Sequence, residues 1–149
     1  MVIFGTKGTN NTQTQTQVKE PVLLSKPRSV QDAASLLKPH RHQLQLERIK
    51  ELAHVPAYYY EHFYLPALES VAEFVQLLPA TRMVRFNKTG GLLDFSLRRT
   101  SETLAWYRRE NPIRQKDPEK ISQDDAHMTW ALFSAALILG LGYIPTQYW

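Results

Sequence analysis

The sequence predicts an all-α protein of about five helices. Several blocks repeat apolar residues at the three- and four-residue spacing of an amphipathic helix. The prolines that could not sit inside a helix fall between these blocks, at Pro39, Pro56, Pro79 and Pro112. Neither an alternating strand pattern nor an internal repeat is visible, so a mixed or all-β fold is not expected.

The first two predicted helices lie before Pro56. Ser29 is a good N-cap, and Asp32 would complete a capping box at the start of a short helix ending at Leu37. Pro39 suits the first position of a second helix, which is predicted to reach about Ala53. The expected apolar stripe of this second helix consists of Leu44, Ile49, Leu52 and Ala53.

Three longer helices are predicted after Pro56. The helix over residues 58–78 should be kinked or split by Pro66, which removes a backbone hydrogen bond. The next covers residues 92–110. Ser122 caps the last one, which is apolar nearly all round from residue 128 to 141 and is therefore predicted to be the central, buried helix. The incomplete apolar stripe of the 92–110 helix consists of Leu93, Leu97, Leu104 and Trp106.

Chain length and composition predict one helical domain behind a polar tail. A chain of 149 residues can bury one sizeable core. Residues 1–28 are mostly polar and include the low-complexity run T-Q-T-Q-T-Q, so this tail is expected to be disordered until a partner orders it. The helical domain is predicted to span residues 29–149.

Several classes of protein are disfavoured by composition. The absence of cysteine excludes disulfides, thiolate metal sites and a cysteine nucleophile. The N-terminus does not resemble a signal peptide, and the longest apolar run, residues 130–139, is shorter than the roughly 20 residues that cross a bilayer. We therefore expect a soluble, cytoplasmic protein.

Two groups of residues are candidate binding surfaces. An aromatic cluster is either a partner-binding surface or the packing around a kinked helix. A basic cluster is either a contact for an anionic partner or a solvated face; it matches a net charge of +4. The aromatic cluster consists of Tyr58, Tyr59, Tyr60, Phe63 and Tyr64. The basic cluster consists of Arg82, Arg85, Lys88, Arg98 and Arg99.

The five histidines do not have the spacing of a metal site. They are His40, His42, His54, His62 and His127, and no pair has the H-x-x-x-H arrangement. We expect structural or surface histidines. Nor does any tyrosine lie beside a visible ligand triad, as a metal-dependent tyrosine nucleophile would require.

Three segments, in order, resemble one protein family. Residues 63–81 contain F-Y-L-P-A-L-E and F-V-Q-L-L-P-A-T, residues 90–97 read G-G-L-L-D-F-S-L, and residues 136–143 read A-L-I-L-G-L-G-Y. Together they are similar to the N-terminal HD-like domain of MobH-type conjugative relaxases, the TraI family. The resemblance covers roughly residues 35–143 and implies a compact helical HD-like core.

The departures from the family pattern all remove metal ligands. Phe95 stands where the family has histidine in its G-G-L-L segment, and residues 82–89 contain none of the family's histidines. Leu139 and Gly140 stand in place of the His-Asp pair. The resemblance therefore implies a degenerate site without metal or cofactor, whose cavity Phe95 and Leu139 fill, and a protein that is not an enzyme.

A non-catalytic relaxase-like domain fits a structural role. Conjugation machines are related to Dot/Icm-type IV secretion systems, whose coupling complexes contain small helical cytoplasmic subunits. The resemblance thus implies an adaptor that contacts other subunits and reaches the inner membrane only through them. The alternative is a DNA-associated module of a MobH-type relaxase. The basic cluster suggests this alternative because Lys and Arg side chains bind DNA phosphates.

Overall fold

The structure, a computed structural model, describes residues 30–80 and 88–143. No strand occurs in these ranges, and α3, the π-helix and α4 are continuous, which gives five helical rods and confirms the all-α prediction. The predicted polar tail, residues 1–28, lies outside the described residues. The helices are α1 (Ala33–Leu37), α2 (His40–Ala53), α3 (Ala57–Tyr59), a π-helix (Tyr60–Tyr64), α4 (Leu65–Val75), α5 (Gly91–Glu110) and α6 (Gln123–Leu139), with 3₁₀ turns at Pro118–Lys120 and Gly140–Tyr143.

Pro66 changes the hydrogen-bond register of the third rod. Proline has no N–H to donate to the carbonyl four residues earlier. Just before it, the Leu65 N–H donates to the Tyr60 carbonyl, five residues back, which is the π-helical pattern. The predicted kink or split therefore takes the form of a π turn inside an unbroken helix.

The core is organised around α5. This helix packs against both α2 and α6 and also contacts α4. The fully buried residues Ile49, Leu68, Leu97, Leu104 and Phe133 come from all four helices and share one cluster. Burial of apolar side chains of this size stabilises the fold by about 1.5–3 kcal/mol each.

The prediction that α6 is the central, buried helix is wrong. One side of α6 is buried, at Phe133 and Leu137, whereas Met128, Ile138 and Leu139 are 49%, 53% and 46% exposed. An apolar composition all round a helix does not say which side is covered. The central helix is α5. Its apolar stripe is incomplete in the sequence because polar side chains occupy part of its buried face. These polar residues are Ser96, Thr100, Ser101 and Arg108.

Two residues of the predicted apolar stripes lie on the solvent side. Leu44 of α2 is 50% exposed and Trp106 of α5 is 57% exposed. The buried face of α2 instead consists of His42, Leu46, Ile49 and Ala53. His42 thus occupies a core-facing position in the first turn of α2, and a pattern of apolar residues alone does not reveal it.

The predicted helix start is confirmed at α6 and agrees to within one residue at α2 and α5, but the prediction for α1 is wrong. The Ser122 hydroxyl accepts a hydrogen bond from the Asp125 N–H at 3.2 Å and caps α6 as expected. By contrast, Asp32 has an extended backbone and α1 begins at Ala33, so Asp32 is not inside a capping box. Ser29 lies outside the described residues.

Arg108 joins α2, α5 and α6 at one buried point. Its Nη1 donates to both carboxylate oxygens of Asp125 at 2.9 and 2.7 Å. Its Nε donates to the Leu52 carbonyl at 2.7 Å, and Nη2 donates to the Ala53 carbonyl at 3.0 Å and to the Thr129 hydroxyl at 3.2 Å. All five N–H groups of the guanidinium are therefore used. Two of their acceptors are carbonyls at the C-terminal end of α2, which an α-helix leaves unpaired.

One helical segment, Gln123–Gly142, is long and apolar enough to cross a membrane by length and composition. The sequence expectation considered only the uninterrupted apolar run and missed it. In the fold this segment packs on α5, and its first turn contains the Asp125 carboxylate that pairs with Arg108. A core helix of a helical domain passes the same test, so this segment is weak evidence for a membrane span.

Candidate functional site

Two of the three residues that the sequence analysis singled out as former ligand positions, Phe95 and Gly140, meet at the junction of α5 with the end of α6. A Cβ placed on Gly140 would lie 2.9 Å from Leu92 Cδ1, 3.1 Å from Ser96 Oγ and 3.4 Å from Phe95 Cδ1. Gly140 is buried and Phe95 is partly buried against the core. A side chain at position 140 would therefore displace its neighbours, and the atoms around it are mostly apolar.

Leu139 does not take part in this junction as expected. Its side chain is 46% exposed, so it does not fill the interior beside Phe95. The helical rotation between consecutive residues turns Leu139 outward while Gly140 faces α5. The statement that Phe95 and Leu139 together fill the former cavity is thus wrong for Leu139.

One buried polar atom remains unpaired at the same junction. The Ser96 hydroxyl is fully buried and has no hydrogen-bond partner. Among the residues that the structure describes, no group of three or more His, Cys, Asp or Glu side chains could hold a metal ion. In its described part the junction therefore offers a single hydroxyl.

A charged cluster that the sequence did not reveal surrounds Asp94 in the first turn of α5. Its carboxylate lies 2.7 Å from His42 Nε2, 2.8 Å from Lys88 Nζ and 3.3 Å from Arg41 Nε. Burial opposes ionisation of Asp94, but the hydrogen bonds from His42 and Lys88 and the charge of Arg41 outweigh it and lower the pKa of Asp94 to about 2. This cluster ties α2 to the start of α5.

His42 links the end of α1 to the start of α5 through both of its ring nitrogens. Its Nδ1 lies 2.6 Å from the Leu36 carbonyl oxygen, which can only accept, and Nε2 faces the ionised carboxylate of Asp94. Arg41 Nε lies 3.3 Å from both His42 Nε2 and Asp94 Oδ1 and completes this group of polar contacts. The expected structural role is confirmed for His42, which is 5% exposed.

The predicted basic cluster is only partly within the described residues. Arg82 and Arg85 lie outside them. Lys88 is paired with Asp94, and Arg98 Nε donates to Glu102 at 2.7 Å one turn along α5. Arg99 is exposed and its guanidinium carbon lies 6.0 Å from the centre of the Phe95 ring. Binding of an anionic partner by this cluster stays a prediction.

The predicted aromatic cluster divides into a buried half and an exposed half. Tyr60 and Tyr64 belong to the core, at 7% and 2% exposure. Burial raises the pKa of Tyr60 to about 12 and also raises the pKa of Tyr64, so both hydroxyls stay protonated. Tyr58, Tyr59 and Phe63 are 62%, 53% and 48% exposed, and they form the surface part of the cluster.

Two of the exposed aromatic residues, Tyr59 and Phe63, line one wall of a groove between the third helical rod and α6. Tyr59 stacks on Phe63 at 5.9 Å between ring centres, and Phe63 meets Trp130 edge-to-face at 6.2 Å. The groove has a volume of about 550 Å³. Trp130 of α6 completes it, and the sequence analysis missed this residue because nothing local relates residue 130 to residues 59–63. We call the groove lined by Tyr59, Phe63 and Trp130 the aromatic groove.

The fold and these sites define a small all-α module with a mostly apolar junction at Phe95 and Gly140 and an exposed aromatic surface. Residues 26–148 match the family model TraI_2, described as "Putative helicase", so this chain belongs to the TraI_2 family, which is related to the conjugative relaxases. Comparison with curated proteins gives no match, and comparison with solved structures gives none either.

Proposed function

We propose that this chain is a non-catalytic adaptor or structural subunit of a bacterial conjugation or type IV secretion coupling complex. The observation that supports this best is the junction of Phe95 with Gly140. A catalytic metal site needs about three protein donors and an open position for substrate. At this junction the aligned positions contribute a phenyl ring and a glycine whose Cβ position is already crowded.

The scaffold we propose is a degenerate HD-like domain. In support, the G-G-L-L segment at the start of α5 and the end of α6 are adjacent, although 40 or more residues separate them in the chain. An HD-like site would need its ligands to converge between such helices. Loss of the ligands with retention of the helix contact matches a scaffold that is kept for its shape.

A subunit that does not catalyse a reaction acts through the surfaces that bind its partners. The aromatic groove is the best candidate for such a contact. Exposed Tyr, Trp and Phe side chains supply large contact areas at low entropic cost and are enriched at binding hot spots. We propose that the complex is of the Dot/Icm type and that this chain corresponds to its small coupling-complex subunit DotZ. The location would be cytoplasmic, at the inner membrane through partners.

Replacing Phe63 and Trp130 by alanine together is expected to abolish capture of secretion or conjugation subunits from the native bacterium. Each ring is about half or one third exposed, so truncation should weaken a partner contact by roughly 2 kcal/mol or more while the helices remain. The measurement is affinity purification read by quantitative mass spectrometry. Phe74→Ala, on the exposed face of α4, is the matched control and should capture the wild-type set.

A metal analysis separates this proposal from an enzymatic one. Stoichiometric manganese, iron, nickel or zinc in the purified protein, with phosphohydrolase activity that depends on it, would overturn the non-catalytic role. Equal capture of the same subunits by wild type and the double variant would remove the aromatic groove from the proposal.

The second candidate function is a DNA-associated module of a relaxase. It is favoured by the match to the TraI_2 family and by the basic residues near α5. Under this hypothesis, Arg82→Gln, Arg85→Gln and Lys88→Gln together should weaken DNA binding and reduce its salt dependence, because fewer counterions are released.

Fluorescence anisotropy with labelled DNA at several salt concentrations measures this effect. The control removes three exposed charges elsewhere, by Arg109→Gln, Arg114→Gln and Lys116→Gln. Salt-insensitive or undetectable binding of the wild-type protein to DNA would end this hypothesis.

A further inference from the structure

The outward side of α6 is an apolar face that nothing in the described part of the chain covers. From residue 128 to 139 it presents Met128, Ala131, Ala135, Ile138 and Leu139, all exposed. Met128, Ile138 and Leu139 are 49%, 53% and 46% exposed, and no charged side chain occurs along these 12 residues. Contiguous apolar surface of this kind marks an interaction site more often than chance exposure does.

The spacing along this face is that of a helix–helix contact. Met128, Ala131, Ala135 and Ile138 are separated by three, four and three residues, the repeat that aligns side chains on one seam between two helices. The two small residues at the middle allow close approach of a second helix, and the large residues lie at the two ends.

The order large, small, small, large is the same read from either end. If a second copy of α6 crosses this face antiparallel, with a two-fold axis level with residue 133, Ala131 faces the partner's Ala135. In the same arrangement Met128 faces the partner's Ile138. A two-fold interface must be complementary to itself, and this face meets that condition.

We propose that this face of α6 binds the same face of a second copy of the chain, antiparallel, to form a homodimer. The proposal is independent of the proposed function, since it concerns a different side of α6 from the aromatic groove. One helix face is smaller than the roughly 800 Å² per partner of standard stable interfaces. A dimer that dissociates at micromolar concentration is therefore expected.

Charge favours a second copy over a lipid surface as the occupant. Helices that lie in a membrane interface usually carry Lys and Arg on their polar side. Helix α6 has neither, and its first turn contains the exposed Asp124, which anionic lipids would repel. A neutral face bound to an identical neutral face has no such penalty.

The first test is the mass of the protein against concentration, by sedimentation equilibrium. Wild type should pass from monomer to dimer as concentration rises. Ala135→Glu, which puts a charge at the centre of the contact, should shift the midpoint at least tenfold or abolish dimerisation, whereas Ala34→Glu on the exposed side of α1 should leave it unchanged. Circular dichroism checks that both variants fold.

The second test determines the direction of the two helices, and the cysteine-free sequence makes it direct. Proteins with Ala131→Cys and Ala135→Cys, one of them tagged, are mixed and mildly oxidised. The antiparallel arrangement predicts disulfides between the two variants in excess of random pairing.

Three outcomes would overturn the proposal. The first is a wild-type protein that stays monomeric at every concentration. The second is an excess of disulfides that join residue 131 to 131 or residue 135 to 135. The third is a monomer that binds vesicles of anionic lipid through this face and is released from them by Ala135→Glu. The last result would assign the face to a membrane surface.

Discussion

Replacing Arg108 by alanine is expected to lower the free energy of unfolding by about 3–5 kcal/mol. The change leaves the Asp125 carboxylate without its bidentate partner and removes the donors to the Leu52 and Ala53 carbonyls at the end of α2. The Arg108 side chain is 7% exposed, so water cannot replace these bonds without opening the core. A domain of ordinary stability, about 5–15 kcal/mol, would lose a large share of it.

Lysine should not rescue position 108. Its ammonium is a single point donor on a flexible stem, whereas the guanidinium reaches Asp125, the end of α2 and Thr129 at once. We expect Arg108→Lys to recover less than half of the loss.

Urea unfolding followed by circular dichroism measures both variants. Arg109→Ala, on the exposed neighbour, is the control and should change stability by about 0.5 kcal/mol or less. A double-mutant cycle that combines Arg108→Ala with Asp125→Ala measures the interaction energy between these two side chains. A coupling energy near zero would mean that packing, and not the ion pair, accounts for the effect of Arg108→Ala.

The positions of helix ends were predictable because the residues that end helices act locally. Proline lacks an N–H wherever it occurs, and the Ser122 hydroxyl reaches a backbone N–H three residues away. Such effects need no knowledge of the tertiary fold. They therefore placed the starts of α2 and α6 to within one residue and located a disturbance of the helix at Pro66, although the sequence did not show that this disturbance is a π turn.

The buried faces were harder to predict because polar residues occupy core positions. His42 and Arg108 are 5% and 9% exposed only because Asp94 and Asp125 lie beside them in space, 52 and 17 residues away in the chain. A hydrophobicity pattern cannot register a charge that is neutralised at long range. The same limitation made α5 look less buried than α6.

The candidate surfaces show the same division. Tyr59 and Phe63 are four residues apart on one helical rod, so their contact could be predicted from helical spacing. Trp130 joins them only through the packing of α6 on the π-helix. The family resemblance implied that Phe95 and Leu139 fill one cavity, whereas the residue beside Phe95 is Gly140 and Leu139 points outward.

Replacing Asp94 by asparagine is expected to lower the free energy of unfolding by about 2–3 kcal/mol at neutral pH. Asparagine keeps the shape but removes the negative charge that the Lys88 ammonium, the Arg41 guanidinium and the buried His42 ring face. The Asp94 side chain is 14% exposed, so solvent screens the interaction little. Glu102→Gln, which breaks the more exposed pair with Arg98 on the same helix, should cost about 1 kcal/mol or less.

The dependence on pH identifies the charge as the cause. The pKa of Asp94 falls from 3.8 to about 2 on folding, so its ionised form stabilises the folded state at every pH above about 3.8. This contribution is lost as the pH falls from there through about 2, and roughly half of it should be gone at pH 3. Urea unfolding of wild type and Asp94→Asn from pH 7 to pH 3 should show the two stability curves converging. A difference that stayed constant down to pH 3 would instead attribute the effect of Asp94→Asn to altered packing between α2 and α5.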